Sequence, residues 1–257
     1  MPHNTLQTKL DSFARLLKIM DELRELCPWD KKQTLESLRS LTIEETYELG
    51  DAILNDDLKG IKEELGDVML HMVFYAKIGD EKGSFDIADA LNGVCDKLIA
   101  RHPHIYSDWV VKDEEEVKRN WEKLKIKEGK KSALEGVPIG LPAIVKAYRI
   151  QEKAAKTGFD WDNAAQVWEK VEEEIAELHE AVLEIPDKKE EEFGDVLFSL
   201  INYARFIDVD PETALERTNR KFIRRYEFVE THGDKRIEDM TLDEMNALWD
   251  KAKLTEK

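Results

Sequence analysis

One octapeptide and its echo constrain this chain more than any other feature: EELGDVML at residues 63–70 returns as EEFGDVLF at 191–198. Three further pairs keep the same order. EETYE at 44–48 matches EEIAE at 173–177, DKLIAR at 96–101 matches RKFIRR at 220–225, and WEKLK at 121–125 matches WDKAK at 249–253. The offsets lie between 124 and 129 residues, so spacing survives with small insertions only. A duplicated chain has to fold twice by one local pattern.

That pattern is helical. From Leu58 to Ala76 apolar residues fall at 58, 61, 65, 68, 69, 72, 73 and 76, the spacing of a core-facing helical stripe. No stretch of comparable length alternates with period two, so the expected class is all-α. Helices are expected over 5–26, 33–54, 58–79, 86–101 and 114–128, then over 142–157, 164–184, 188–207, 211–231 and 241–254. Between the two sets, EGKKSALEGVPIGLPA at 128–143 concentrates three glycines and two prolines and reads as a linker. The expected organisation is a first helical domain over 1–128, a linker over 129–141 and a second domain over 142–257, each a bundle of four to five helices.

The acidic residues are placed with unusual symmetry. Nine of the twenty-four residues in EETYELGDAILNDDLKGIKEELGD (44–67) are carboxylic acids, against two lysines. Glu45 and Glu48 share one helical face, as do Glu64 and Asp67, with Cβ atoms about 5–6 Å apart in each pair. The two pairs are mirror images about residue 56, inside the turn-forming LNDDLKG. An antiparallel hairpin folded there sets Glu45 level with Asp67 and Glu48 level with Glu64. The second copy repeats the relation with Glu174, Glu177, Glu192 and Asp195 about a mirror point in LEIPDKK. A solvated charged face needs no such registration twice.

Four converging carboxylates repel one another, and burial raises that cost unless a cation compensates. All-oxygen ligands suit hard cations, Mg2+ first and Mn2+ as the alternative. A di-iron bundle would want Glu-x-x-His motifs, and none of the six histidines has a glutamate three residues before it. No GxxxxGK[ST] loop or GxGxxG is present to cradle phosphates.

Net charge bounds the partners. At −17, with a pI near 4.9, the chain is poorly matched to a nucleic-acid backbone or an anionic membrane. No apolar run approaches 18 residues and no leader-like segment opens the chain, so the expected location is cytoplasmic. Cys27 and Cys95 are too few for a four-cysteine zinc site and are expected to be reduced, buried or half-buried thiols. His102 and His104 lack a third ligand and read as structural, while Trp29 and Trp161 are expected to anchor packing beneath the hairpins.

EExxE followed by ExxD in a four-helix unit resembles the MazG family of nucleoside triphosphate pyrophosphohydrolases, within the all-α NTP pyrophosphatases. The likeness extends through CPWD at 27–30, RHPH at 101–104, SALEGVP at 132–138, GFDW at 158–161 and NRKFIRR at 219–225. It implies two tandem MazG-like domains and Mg2+-dependent hydrolysis of NTPs to NMP and diphosphate, as house-cleaning of canonical and non-canonical nucleotides. It also implies that Glu174, Glu177, Glu192 and Asp195 are the catalytic metal ligands. Lys170, Glu173, Lys188, Lys189, Lys221, Arg225 and Trp249 would contact the nucleotide. Glu45, Glu48, Glu64 and Asp67, with Lys97, Arg101 and Trp121, would form a second possible metal site. A homodimer is expected, since each repeat offers few helices and a broad apolar stripe. The rival class is a non-enzymatic acidic helical scaffold.

The copies differ one turn before the acids. Lys170 precedes Glu174 by four residues where Leu41 stands before Glu45, and Lys188 precedes Glu192 where Gly60 stands before Glu64. A triphosphate meeting acidic walls favours the copy with the lysines, so the second site is expected to dominate turnover.

Overall fold

The structure, a computed structural model, describes residues 4–113, 117 and 132–255. Every long element among them is a helix: α1 (Leu6–Leu26), α2 (Leu35–Leu54), α3 (Leu58–Glu81), α4 (Ile87–Arg101), α5 (Pro103–Tyr106), α6 (Ala143–Ala155), α7 (Ala164–Glu184), α8 (Lys189–Phe206), α9 (Pro211–His232) and α10 (Leu242–Thr255). The all-α class holds, and the short α5 was not expected from periodicity. The helix expected over 114–128 lies, apart from residue 117, outside the described residues, as does Trp121.

Helix ends follow local chemistry. Thr34 and Ser37 form a reciprocal capping box at the start of α2, and Asp86 and Asp89 do the same for α4. Between α2 and α3 the chain turns through Asn55, Asp56 and Asp57. Asp56 takes a positive φ of 52°, which a short polar side chain tolerates, and Asp57 caps α3 by accepting from Lys59 N at 3.0 Å.

The chain divides into two compact units, Met1–Val111 and Lys112–Lys257. In the first, α2 and α3 form the hairpin, α1 packs along α3, and α4 touches α3. Met20, Leu38, Val73, Phe74 and Ile78 make its buried core. Arg24 ties the CPWD turn to this core: its guanidinium donates to the Asp30 and Gln33 carbonyls and pairs with Glu81.

In the second unit α7 and α8 form the hairpin, α6 packs beside α8, and α9 contacts α6, α8 and α10. Val167, Val171, Ala181, Val196 and Ile201 are buried along the hairpin, with Val229 on α9 and Ala252 on α10. Part of the expected linker is held by this unit. Lys153, almost fully buried, donates to the Glu135 carbonyl at 2.8 Å, so SALEGVP is strapped to α6 rather than spaced away from it. The GFDW segment is fixed in the same way. Gly158 adopts a φ of 90°, open to glycine, and Asp160 takes both prongs of the Arg205 guanidinium on α8.

Candidate metal centre

The second hairpin brings Glu174 of α7 together with Glu192 and Asp195 of α8, and one carboxylate oxygen from each lies within 4.8 Å of the others. Glu174 is only 7% exposed. A buried carboxylate needs a partner, and Lys170 supplies one from the preceding turn, its Nζ 2.8 Å from Glu174 Oε1 and 2.8 Å from Glu173 Oε1. Those two hydrogen bonds, Glu173's first, hold the Lys170 ammonium well above its usual range. Glu192 is pushed up by loss of water and then by Glu177, with Lys188 pulling the other way. Glu177 is itself exposed and stands outside the close trio, so the expected four-carboxylate convergence is three plus a neighbour.

The first hairpin shows the same plan with a different absentee. Glu45, Glu48 and Glu64 offer oxygens within 4.8 Å of one another, while exposed Asp67 falls outside the trio. Desolvation raises Glu45 and Glu64. Among their charged neighbours Glu45 feels Asp67 most and Glu64 feels Glu48 most. Together with the Glu177–Glu192 coupling, this is the mirror register read from the sequence. One helical turn beyond Asp67, His71 is 7% exposed with its Nδ1 unpartnered; burial pushes its imidazole below the usual value against the pull of Asp67. Sequence reasoning passed over His71, whose only signal is a histidine inside an apolar stripe.

The remaining expected residues take varied places. Lys188 closes the turn between α7 and α8, and Lys189 opens α8. Lys221 is exposed on α9. Arg225, half-buried, lies over the Trp249 ring at 5.6 Å, and Phe222 meets the same ring at 5.1 Å between centroids. Lys97 is exposed and Arg101 half-buried on α4, a helix with no buried side chain. His102 caps α4 through Nδ1, 2.7 Å from the Leu98 carbonyl, in keeping with a structural role.

Three sequence expectations are corrected. Trp29 is 56% exposed and Trp161 45% exposed, so neither is a buried anchor: both sit in the loops before the hairpin helices, where a single layer of helix cannot cover an indole. Cys95, expected to be at least half-buried, is exposed on α4; Cys27 is half-buried and both thiols are free. Trp161 instead lines a cleft of about 560 Å3 between α6, the 158–161 loop and α8. Nothing in the sequence announced it, because its walls come from segments far apart in the chain.

The all-oxygen trios would fit a hard divalent cation: carboxylates this close repel, and a small ion that prefers oxygen ligands would relieve that repulsion. Among the described residues no nitrogen or sulfur donor joins either trio.

Known proteins resemble this chain over most of its length. The MazG nucleotide pyrophosphohydrolase domain matches residues 33–106 and again 163–229, one match over each hairpin. The nucleoside triphosphate pyrophosphohydrolase/pyrophosphatase MazG of Thermotoga maritima is 45% identical over 251 residues, covering 94% of this chain and 95% of its own. The nucleoside triphosphate pyrophosphohydrolase of Escherichia coli K12 is 40% identical over 260 residues, covering 96% of this chain and 99% of its own. The crystal structure of a mazG-related protein from Thermotoga maritima aligns with 44% of this chain and 98% of its own, at a TM-score of 0.40 and 27% identity.

Proposed function

This chain belongs to the MazG nucleotide pyrophosphohydrolase family, and from that membership and its two carboxylate hairpins we propose that it hydrolyses nucleoside triphosphates to NMP and diphosphate with Mg2+. The observation that carries the reading is the trio of Glu174, Glu192 and Asp195, set in a matched segment with Lys170 bonded to its buried member.

Glu174, Glu192 and Asp195 would hold the ion, with Glu177 beside Glu192 completing the set as substrate enters. When bound, Mg2+ supplies charge neutralisation at the triphosphate and acidifies the attacking water. The chain's own groups do the rest. Lys170 is already charged and aimed at the trio, so exchanging Glu173 for a phosphate oxygen costs it little reach. Lys188, Lys189 and Lys221 add positive charge for the triphosphate. Arg225 does the same from its place over the Trp249 ring, so Trp249 acts as a prop for the guanidinium. Attack falls at the α-phosphorus, with a carboxylate of the cluster taking the water's proton.

The first hairpin is a weaker second site of the same kind. House-cleaning of canonical and non-canonical nucleotides in the cytoplasm belongs to the same reading. Among the described residues no helix is long and apolar enough to cross a membrane. A homodimer completes each bundle. What supports that is α4, which leaves Leu91, Val94, Leu98 and Ile99 exposed along a helix that buries nothing. Sedimentation should give twice the 29.8 kDa chain mass at micromolar concentration, and a monomer there would remove the dimer from this reading.

Incubation with each NTP and Mg2+ should release NMP and diphosphate in equal amounts. Absence of both products across the nucleotide set would favour the acidic scaffold instead.

A further inference from the structure

The SALEGVP segment (132–138) does more than join the repeats, because its Leu134 lines the same cleft as Ile150 and Ala154 of α6, Trp161 of the loop and Phe198 of α8. Packing anchors the segment poorly. It belongs to no helix, Val137 is half-buried, and the rest is exposed, Leu134 at 43%. Its backbone bonds are local: Leu134 N donates to Ser132 Oγ at 3.2 Å, Glu135 N to the Ser132 carbonyl at 3.1 Å and Val137 N to the Leu134 carbonyl at 3.2 Å. Gly136 completes the turn at a φ of 82°.

Lys153 of α6 ties this turn to the body of the unit. Its side chain is almost fully buried, with Nζ 2.8 Å from the Glu135 carbonyl and 3.5 Å from that of Ala133. Those two carbonyls flank Leu134, so one ammonium grips the chain on both sides of it. Burying an ammonium is costly even when it is hydrogen-bonded. For folding alone the arrangement gains little, since the segment it holds buries no side chain fully. What it secures is the place of Leu134.

The other walls are fixed in the same manner, each by one long polar side chain. Gln151 Nε2 donates to the Phe198 carbonyl at 2.7 Å and joins α6 to α8, while Arg205 joins Asp160 of the loop to α8. Lys153 completes that set on the side of the linking segment. The walls matter to the reaction because Phe198 stands one turn beyond Asp195 on α8, roughly 5 Å along the axis. The part of a substrate that extends past its phosphates meets them.

We infer that Lys153 is a positioning residue for the reaction: through the Ala133 and Glu135 carbonyls it holds Leu134 as a wall against which the bound substrate packs. Lys153 itself touches no phosphate, so its effect falls on binding and not on the chemical step. The inference rests on the pyrophosphohydrolase reading, but its first readout needs no turnover.

Calorimetric titration of the full-length protein with α,β-methylene-ATP and Mg2+ measures binding without hydrolysis. Lys153→Met, which keeps the volume and removes the ammonium, should weaken binding about tenfold. In steady-state assays it should raise KM for ATP by the same factor and leave kcat within about twofold. Lys153→Arg, whose guanidinium reaches both carbonyls, should return binding to within about twofold of native. Leu134→Ala should match Lys153→Met, and the double variant should lose no more than either alone, because both remove one wall. Native-like binding by Lys153→Met overturns the inference. So do a lowered kcat at unchanged KM, a double variant whose losses multiply, and a native protein that does not bind the analogue. If Lys153→Met does not fold, Leu134→Ala decides, since it trims an exposed side chain, and undiminished binding by that variant overturns the inference. The expected binding pattern in a protein that releases no NMP and diphosphate would uphold the wall and defeat the pyrophosphohydrolase reading alone.

Discussion

The two hairpins carry their carboxylates in one register and differ in what lies next to them. In the second, Lys170 pairs with buried Glu174, and the matching place on the facing helix holds Ser199, a small hydroxyl satisfied by the Val196 carbonyl. In the first, Leu41 packs against the core in place of the lysine, and buried, unpartnered His71 stands where Ser199 would. The mouth of the hairpin differs too. A Cβ on Gly60 would meet Asp57 Oδ2 at 2.8 Å and the Ala52 Cβ at 3.2 Å. A side chain at 60 would therefore crowd Asp57 and Ala52 at the tight Asn-Asp-Asp turn, whereas the longer Pro186–Lys188 turn admits Lys188. Turn geometry, as much as the acids, decides which hairpin can present lysines to a polyanion.

The sharpest way to break this comparison is to neutralise each hairpin in turn. Glu174→Gln with Glu177→Gln should lower NTP hydrolysis by more than about 100-fold, whereas Glu45→Gln with Glu48→Gln should leave at least roughly half. Equal losses in steady-state assays would make the sites equivalent. Next comes the lysine itself: Lys170→Ala should cost about ten- to a hundredfold in kcat/KM, the worth of a charge-assisted hydrogen bond. A Leu41→Ala control that matched this loss would count against a role in substrate charge.

Gly60→Lys tests the turn. It should destabilise the protein by about 1–3 kcal/mol through overpacking at the α2–α3 mouth, seen as a lower urea midpoint. Lys188→Gly should change stability little and raise KM. Reversal of those two outcomes would mean that the turn does not control the difference.

The mildest effect is on melting. Mg2+ at about a hundredfold excess over its Kd should raise Tm by roughly 5 °C near neutral pH. Glu45, Glu64 and Glu192 have raised carboxyl values in the metal-free fold. Their repulsion is absent below the ordinary carboxylate range and grows as pH rises through the raised values. The Mg2+ shift should therefore shrink as pH falls toward 5, and a pH-independent shift would detach it from these clusters.

What the sequence determined by itself is what depends on near neighbours. Apolar residues three and four apart placed the helices, and α7 matches its expected bounds of 164–184. The mirrored acids set the hairpin register, because residues equidistant from a turn must meet whatever else the chain does. Packing between distant segments decided the rest. Asp67 and Glu177 stay out of the trios, while Glu48 and Asp195, just as exposed, fall inside them, so side-chain placement within the hairpin decides membership. SALEGVP became a strap once Lys153, with no solvent to reach, took the Glu135 carbonyl. The cleft exists because α6, the 158–161 loop and α8 converge and leave Gln151 Oε1 unpaired. Whether a buried polar atom finds a partner is fixed only when all three segments are in place, so no local pattern could have foretold it.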